Sequence, residues 1–169
     1  MLNKIKRFIK GIKLNTSLIV NSRNDNTDSE FFSFEINEEG YIHRQNTVAL
    51  MKSGICVAGC TLVQFGTQLV PCIWTDDTFN KMSENGQKFV IYHELGHFMY
   101  HQDALMNGFE RNVKMEQEAD SYAVYILGAE NTIKGLEELK DMLDLISFGK
   151  GKNCKEEIEE RIQYIKNQM

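Results

Sequence analysis

Three features of the sequence predict an α+β fold. Up to residue 75 the apolar residues fall in short, β-favouring runs separated by turn signals, and from residue 78 they recur at helical spacing. The chain has 169 residues, 42% hydrophobic and 25% charged, a size and balance at which one domain buries a core without disulfide staples. The third feature is that strands come first and helices after, which favours segregated layers over alternating βαβ units. The expected architecture is a small N-terminal antiparallel sheet, with an edge strand beside a buried helix, followed by a helical C-terminal half. One domain is expected over 1–169, divided into an N-terminal helix and polar linker (1–30), a sheet (31–75) and a helical part (78–169).

The elements follow in order. Leu2, Ile5, Phe8, Ile9 and Ile12 recur at helical spacing among Lys4, Lys6, Arg7, Lys10 and Lys13. This predicts a short amphipathic helix over residues 1–13 that packs on its own domain, with peripheral membrane contact as the alternative. Asn21 to Glu30 is polar and reads as a loop. Phe31 to Ile36 reads as a strand, Asn37 to Gly40 as a turn, and Tyr41 to Leu50 as the returning strand. Ile55 to Phe65 and Gln68 to Trp74 form a further pair around Gly66-Thr67. Pro71 lies inside the second of these and lacks a backbone donor, which predicts a place at the sheet edge. Ser83 can cap a helix running to Tyr100. A second helix spans Glu110 to Leu127 and stops at Gly128. A third spans Thr132 to Ile146, and a highly charged fourth, Lys155 to Asn167, is expected on the surface.

Composition narrows the function. The net charge of −5 disfavours nucleic-acid binding, which needs a basic surface. No apolar run approaches the roughly 18 residues of a transmembrane helix, and no signal-peptide pattern follows the N-terminal charges, so a cytoplasmic location is expected. The four cysteines, Cys56, Cys60, Cys72 and Cys154, form no CxxC pair and read as free thiols.

The chemistry concentrates in His93-Glu94-Leu95-Gly96-His97, an HExxH pattern. Residues four apart share a helix face, so both imidazoles can bind one ion. Imidazole suits Zn²⁺, and Glu94, rotated by about 100° on the helix, can reach a metal-bound water without ligating the metal. Phe89, Val90 and Ile91 mark the helix as buried, and Gly96 inside it costs about 1 kcal/mol relative to alanine, which calls for a packing or access reason. Catalytic zinc takes three protein ligands. A metzincin would carry glycine at 99 and a ligand at 103, where this chain has Met99 and Asp103. His101 lies one turn too far along the axis to share the ion and is assigned a solvent-facing or supporting role. The third ligand is sought in Glu116-Gln117-Glu118-Ala119-Asp120. Glu116 shares a stripe with Val113, Asp120, Ala123 and Leu127, whereas Glu118 shares one with Arg111, Lys114, Ser121 and Tyr125. An inward carboxylate needs a cation, so Glu116 is the chosen ligand and Glu118 a solvated charge. Asp120, one turn on, can accept the free N–H of a zinc-bound histidine.

At these residues the sequence resembles gluzincin zinc metallopeptidases, with HtpX/CAAX-protease-like and ImmA/IrrE-type peptidases the nearest in pattern. Both pair HExxH with a downstream E-x-E-A-D or E-x-E-A-N helix, and the likeness extends over about residues 68–128. The resemblance implies a zincin-like peptidase acting on a peptide or protein substrate, with Glu116 as third ligand, Glu94 as general base and Asp120 supporting a histidine. It also implies that the strand Gln68 to Trp74, through Val70, Cys72 and Trp74, holds an extended peptide by β-augmentation. Tyr100, His101, Arg111, Tyr122 and Tyr125 stand as oxyanion-stabilising candidates. The transmembrane helices of the membrane-bound group and a DNA-binding or repressor-recognition domain are not recognisable here, and narrow activity on one protein partner is expected. Two other readings compete. A deformylase-like amidase would take Cys60 as a metal ligand, and a non-catalytic zinc-stabilised regulatory protein of a phage or mobile element would not need Glu94.

Overall fold

A computed structural model describes residues 18–21, 31–34, 39–45, 57–65, 67–75, 78–107, 112–146 and 152–169. The amphipathic segment 1–13, residues 22–30 of the expected linker, Cys56 and Arg111 lie outside the described residues. The architecture is α+β, a small sheet on the N-terminal side followed by helices. The strands are β1 (Leu18–Asn21), β2 (Phe31–Phe34), β3 (Ile42–Gln45), β4 (Ala58–Phe65) and β5 (Gln68–Thr75). After a 3₁₀ turn at Phe79–Lys81 come α1 (Glu84–Tyr100), α2 (Gln102–Asn107), α3 (Val113–Leu127), α4 (Ala129–Ile146) and α5 (Lys152–Lys166). No described helix is long and apolar enough to cross a membrane.

The sheet departs from expectation in three ways. β1, inside the segment read as helix and linker, pairs antiparallel with β2; Leu18-Ile19-Val20 is a short β-branched run of the kind strands favour. β3 does not return against β2 but runs parallel to β5, with Ile42 opposite Cys72. That pairing gathers Ile42, Val70 and Cys72 into a buried cluster with Val63 and Trp74. Long-range burial outweighs the local turn signal of residues 37–40. The order β3-β5-β4 makes β5 the central strand, although it carries Pro71. Pro71 lies opposite Leu62 of β4 and one residue ahead of the first β3 pair, so its missing donor removes no rung from the parallel ladder. The edge strand beside α1 is β4 rather than β5.

The helices follow their caps. Ser83 accepts from the Gly86 N–H, and Glu138 of α4 accepts from both the backbone N–H (2.5 Å) and the hydroxyl (2.6 Å) of Ser83. A carboxylate is thereby placed at the positive end of α1. Asn112 caps α3 by accepting from the Met115 N–H. Gly128 ends α3 at φ 83°, a left-handed conformation that glycine adopts without Cβ strain. α2, which had no sequence signal, is a short turn of helix between α1 and α3.

α1 is the central rod of the helical layer, packed on β4, β5, α3 and α4. Phe89, Val90 and Ile91 join Ile73, Phe79, Ala123 and Leu136 in the main core, with Ile158, Ile162 and Ile165 of α5. α5 is therefore not a surface helix but an amphipathic one, its apolar stripe turned inward. Gly96 marks where α1 crosses α3. A Cβ there would lie 2.5 Å from the Ala119 carbonyl oxygen and 2.7 Å from its Cα, so only glycine permits this approach. Gly96→Ala must push the helices apart or strain them. We expect about 1–3 kcal/mol of destabilisation, read as a lowered denaturant midpoint of the metal-free protein; an unchanged midpoint would show that the crossing relaxes without cost.

Candidate metal centre

The crossing of α1 and α3 brings four polar side chains into the core: His93 and His97 from α1, Glu116 and Asp120 from α3. Their exposures run from 0% for Asp120 to 7% for His93. The Nε2 atoms of the two histidines face each other at 3.2 Å. Glu116 closes the triangle, with Oε2 3.3 Å from His93 Nε2 and Oε1 3.6 Å from His97 Nε2. Ligand bonds of about 2.0–2.1 Å in tetrahedral array put neighbouring donor atoms about 3.3–3.4 Å apart. The three donors already stand at the edge lengths of a zinc site, and among the described residues they form the one cluster able to hold an ion.

The outer nitrogens explain why the inner ones converge. His93 Nδ1 lies 2.8 Å from Asp120 Oδ1; a carboxylate only accepts, so Nδ1 carries the hydrogen. His97 Nδ1 lies 3.1 Å from His101 Nδ1, and His101 Nε2 lies 2.9 Å from Glu118 Oε2. Glu118 accepts from His101 Nε2–H, which leaves Nδ1 of that ring to accept from His97 Nδ1–H. Each ligand histidine thus presents its Nε2 lone pair inward, the arrangement metal-bound imidazoles need. Two lone pairs and a carboxylate facing one another call for a cation. Burial opposes charge on His93, but the hydrogen bonds to Asp120 and Glu116 outweigh it and raise its pKa to about 9. Burial and the neighbouring His93 charge hold His97 neutral, lowering it to about 3.

Asp120 and Glu116 are held in turn by Arg161 of α5. The guanidinium donates to Asp120 through Nε and Nη2, both at 2.7 Å, and its Nη1 is 3.2 Å from Glu116 Oε2. This residue was missed in the sequence. The available signal was its place on the apolar stripe of Ile158, Ile162 and Ile165, where a charge is expensive without partners. Glu118 also requires correction: its side chain is 44% exposed, yet it anchors His101 rather than standing as a plain solvated charge. His101 is buried and turned to His97, not to solvent.

Glu94, next in sequence to His93, is buried. Burial, then the charge of Glu94, then Cys72 raise the pKa of the Cys60 thiol of β4. Cys60, its Sγ–H directed at the Thr61 carbonyl at 3.8 Å, is not a member of the cluster of His93, His97 and Glu116. Among the described residues, Cys60, Cys72 and Cys154 form no disulfide. Val70 and Cys72 are buried in the central strand, in the cluster with Ile42 and Trp74, and leave no exposed edge for a peptide. Of the oxyanion candidates, Tyr100 and Tyr125 are exposed, and Tyr122, half-buried, meets the Tyr100 ring edge-on at 6.3 Å. On the opposite face of α1 a cleft of about 280 Å³ is lined by Tyr41, His43, Phe79 and Tyr92, away from His93 and His97.

Residues 78–142 match the family model of the M78 peptidases, the IrrE N-terminal-like domain. The match supports the resemblance to ImmA/IrrE-type zinc metallopeptidases and a peptidase-like protein with a possible metal site. The curated proteins gave no match, and neither did the solved structures.

Three outcomes check the ligand geometry. Glu116→Ala should abolish stoichiometric zinc, measured by elemental analysis of the purified protein. Glu118→Ala should keep the zinc with affinity lowered by up to about tenfold, because only a support of His97 is lost. Cys60→Ser should bind zinc as wild type does; loss of metal there would restore the cysteine ligand.

Proposed function

We propose that the chain is a zinc-dependent peptidase, with His93, His97 and Glu116 holding the metal and Glu94 acting as general base. The observation that carries this reading is the buried triangle of inward-facing donors with a carboxylate beside it that is not part of the triangle. A structural zinc is usually closed by four protein ligands, whereas three leave a place for water. Zinc bound there would polarise a peptide carbonyl and acidify a water. The chain's own residues do the rest. Glu94, on the next position of α1, takes the proton of the attacking water and passes it to the leaving amine. Asp120 and His101 keep the two histidines in register while charge shifts at the centre. β4, with a strand neighbour on only one side among the described residues and its α1-facing surface close to Glu94, is the strand we assign to hold an extended peptide by β-augmentation. This replaces β5, whose two flanks are occupied.

Family members that act as regulators keep the non-catalytic reading in play, and one variant separates the two. Glu94→Gln should bind zinc as tightly as wild type and lose about 10²–10⁴-fold in cleavage, measured on a peptide library from a digested cell extract. Wild type that binds zinc but cleaves nothing in such a library or in its folded binding partners would favour a regulatory zinc protein.

A further inference from the structure

The Arg161 side chain comes from the C-terminal helix α5, beyond residue 142 where the family match ends, yet it ends inside the metal centre. It is 2% exposed. An isolated buried guanidinium is costly, and its partners must be well placed to compensate. Here they are the two carboxylates that serve the metal ligands. Nε and Nη2 form a parallel pair of bonds with Asp120, at 2.7 Å each. Nη1 lies 3.2 Å from Glu116 Oε2, the same oxygen that faces His93 at 3.3 Å. Nη2 and His93 Nδ1 come within 3.3 Å of each other because both donate to Asp120 Oδ1. The third partner, Glu157, is looser, at 3.9 Å. The fork of donors fixes the plane of the Asp120 carboxylate and the rotamer of Glu116 together.

We infer that Arg161 is a positioning residue of the zinc site, holding Asp120 against His93 and Glu116 at the ligand position before metal arrives. The C-terminal helix is then part of the metal centre rather than an appendage to the helical layer. The inference rests on the zinc reading above. Lysine keeps the charge but cannot span both acids with a planar fork, which makes Arg161→Lys the informative variant.

The test measures zinc affinity by chelator competition, the visible absorption of the cobalt-substituted protein, and the unfolding midpoint of the metal-free protein. Arg161→Lys should remain folded by circular dichroism, bind zinc about 10–100-fold more weakly, and show an altered cobalt spectrum. Asp120→Asn should weaken zinc similarly, and the double variant should fall little further than Asp120→Asn alone, since the two act as one unit. If Arg161→Lys does not fold, Arg161→Gln, which keeps a donor toward Asp120 but not the charged fork, takes its place with the same expected loss. A lowered metal-free midpoint with wild-type zinc affinity and cobalt spectrum would make Arg161 a core residue only and overturn the inference. Wild type that binds no zinc would overturn the zinc reading and this inference together; wild-type binding unaltered by the Arg161 variants overturns this inference alone.

Discussion

The close crossing of α1 and α3 is the constraint from which the centre follows. Gly96 lets the backbone of Ala119 approach to a distance no Cβ would allow, and only then do Glu116 and Asp120 fall level with His93 and His97. Helical spacing does the remainder: residues four apart on each helix present a histidine pair on one side and an acid pair on the other. The result is a set of charges almost without solvent, and that is tolerable only because every member has a partner. Removing one member of such a network typically costs about 3–5 kcal/mol. The structure thus ties the candidate metal centre to the packing of the helical layer.

The same centre shows how the two ligand histidines are oriented by unlike means. His93 leans on a buried carboxylate that is itself clamped by Arg161. His97 leans on His101, which reaches Glu118 at the half-exposed surface of α3. One support is locked inside the core and the other runs toward solvent, so changes at the surface of α3 can reach His97 but not His93. Both arrangements end in an Nε2 lone pair aimed at one point, which is the property an imidazole ligand needs.

Much of this was legible in the sequence. HExxH on an apolar helix gave the histidines, and the stripe containing Val113, Ala123 and Leu127 separated Glu116 and Asp120 from Glu118. Both arguments depend only on helical geometry, which is local. What was not legible depends on long-range pairing. Pro71 argued for an edge, but it sits just ahead of the parallel ladder with β3, and the sequence does not say where a ladder begins. The turn residues near Gly40 argued for a hairpin, and burial of Ile42 against β5 prevailed. Arg161 was hidden because a charged residue in a charged helix looks solvated; only its position between Ile158, Ile162 and Ile165 betrays it. His101 lies outside the cluster of His93, His97 and Glu116, and its bond to Glu118 needed the position of α3 relative to α1.

The most direct measurement of the central claim is X-ray absorption at the zinc edge of the loaded protein. The account predicts a first shell of light nitrogen and oxygen donors at about 2.0–2.1 Å, with the multiple-scattering pattern of two imidazoles. A sulfur shell at about 2.3 Å, or a single imidazole, would contradict the assignment of His93, His97 and Glu116 as the ligand set.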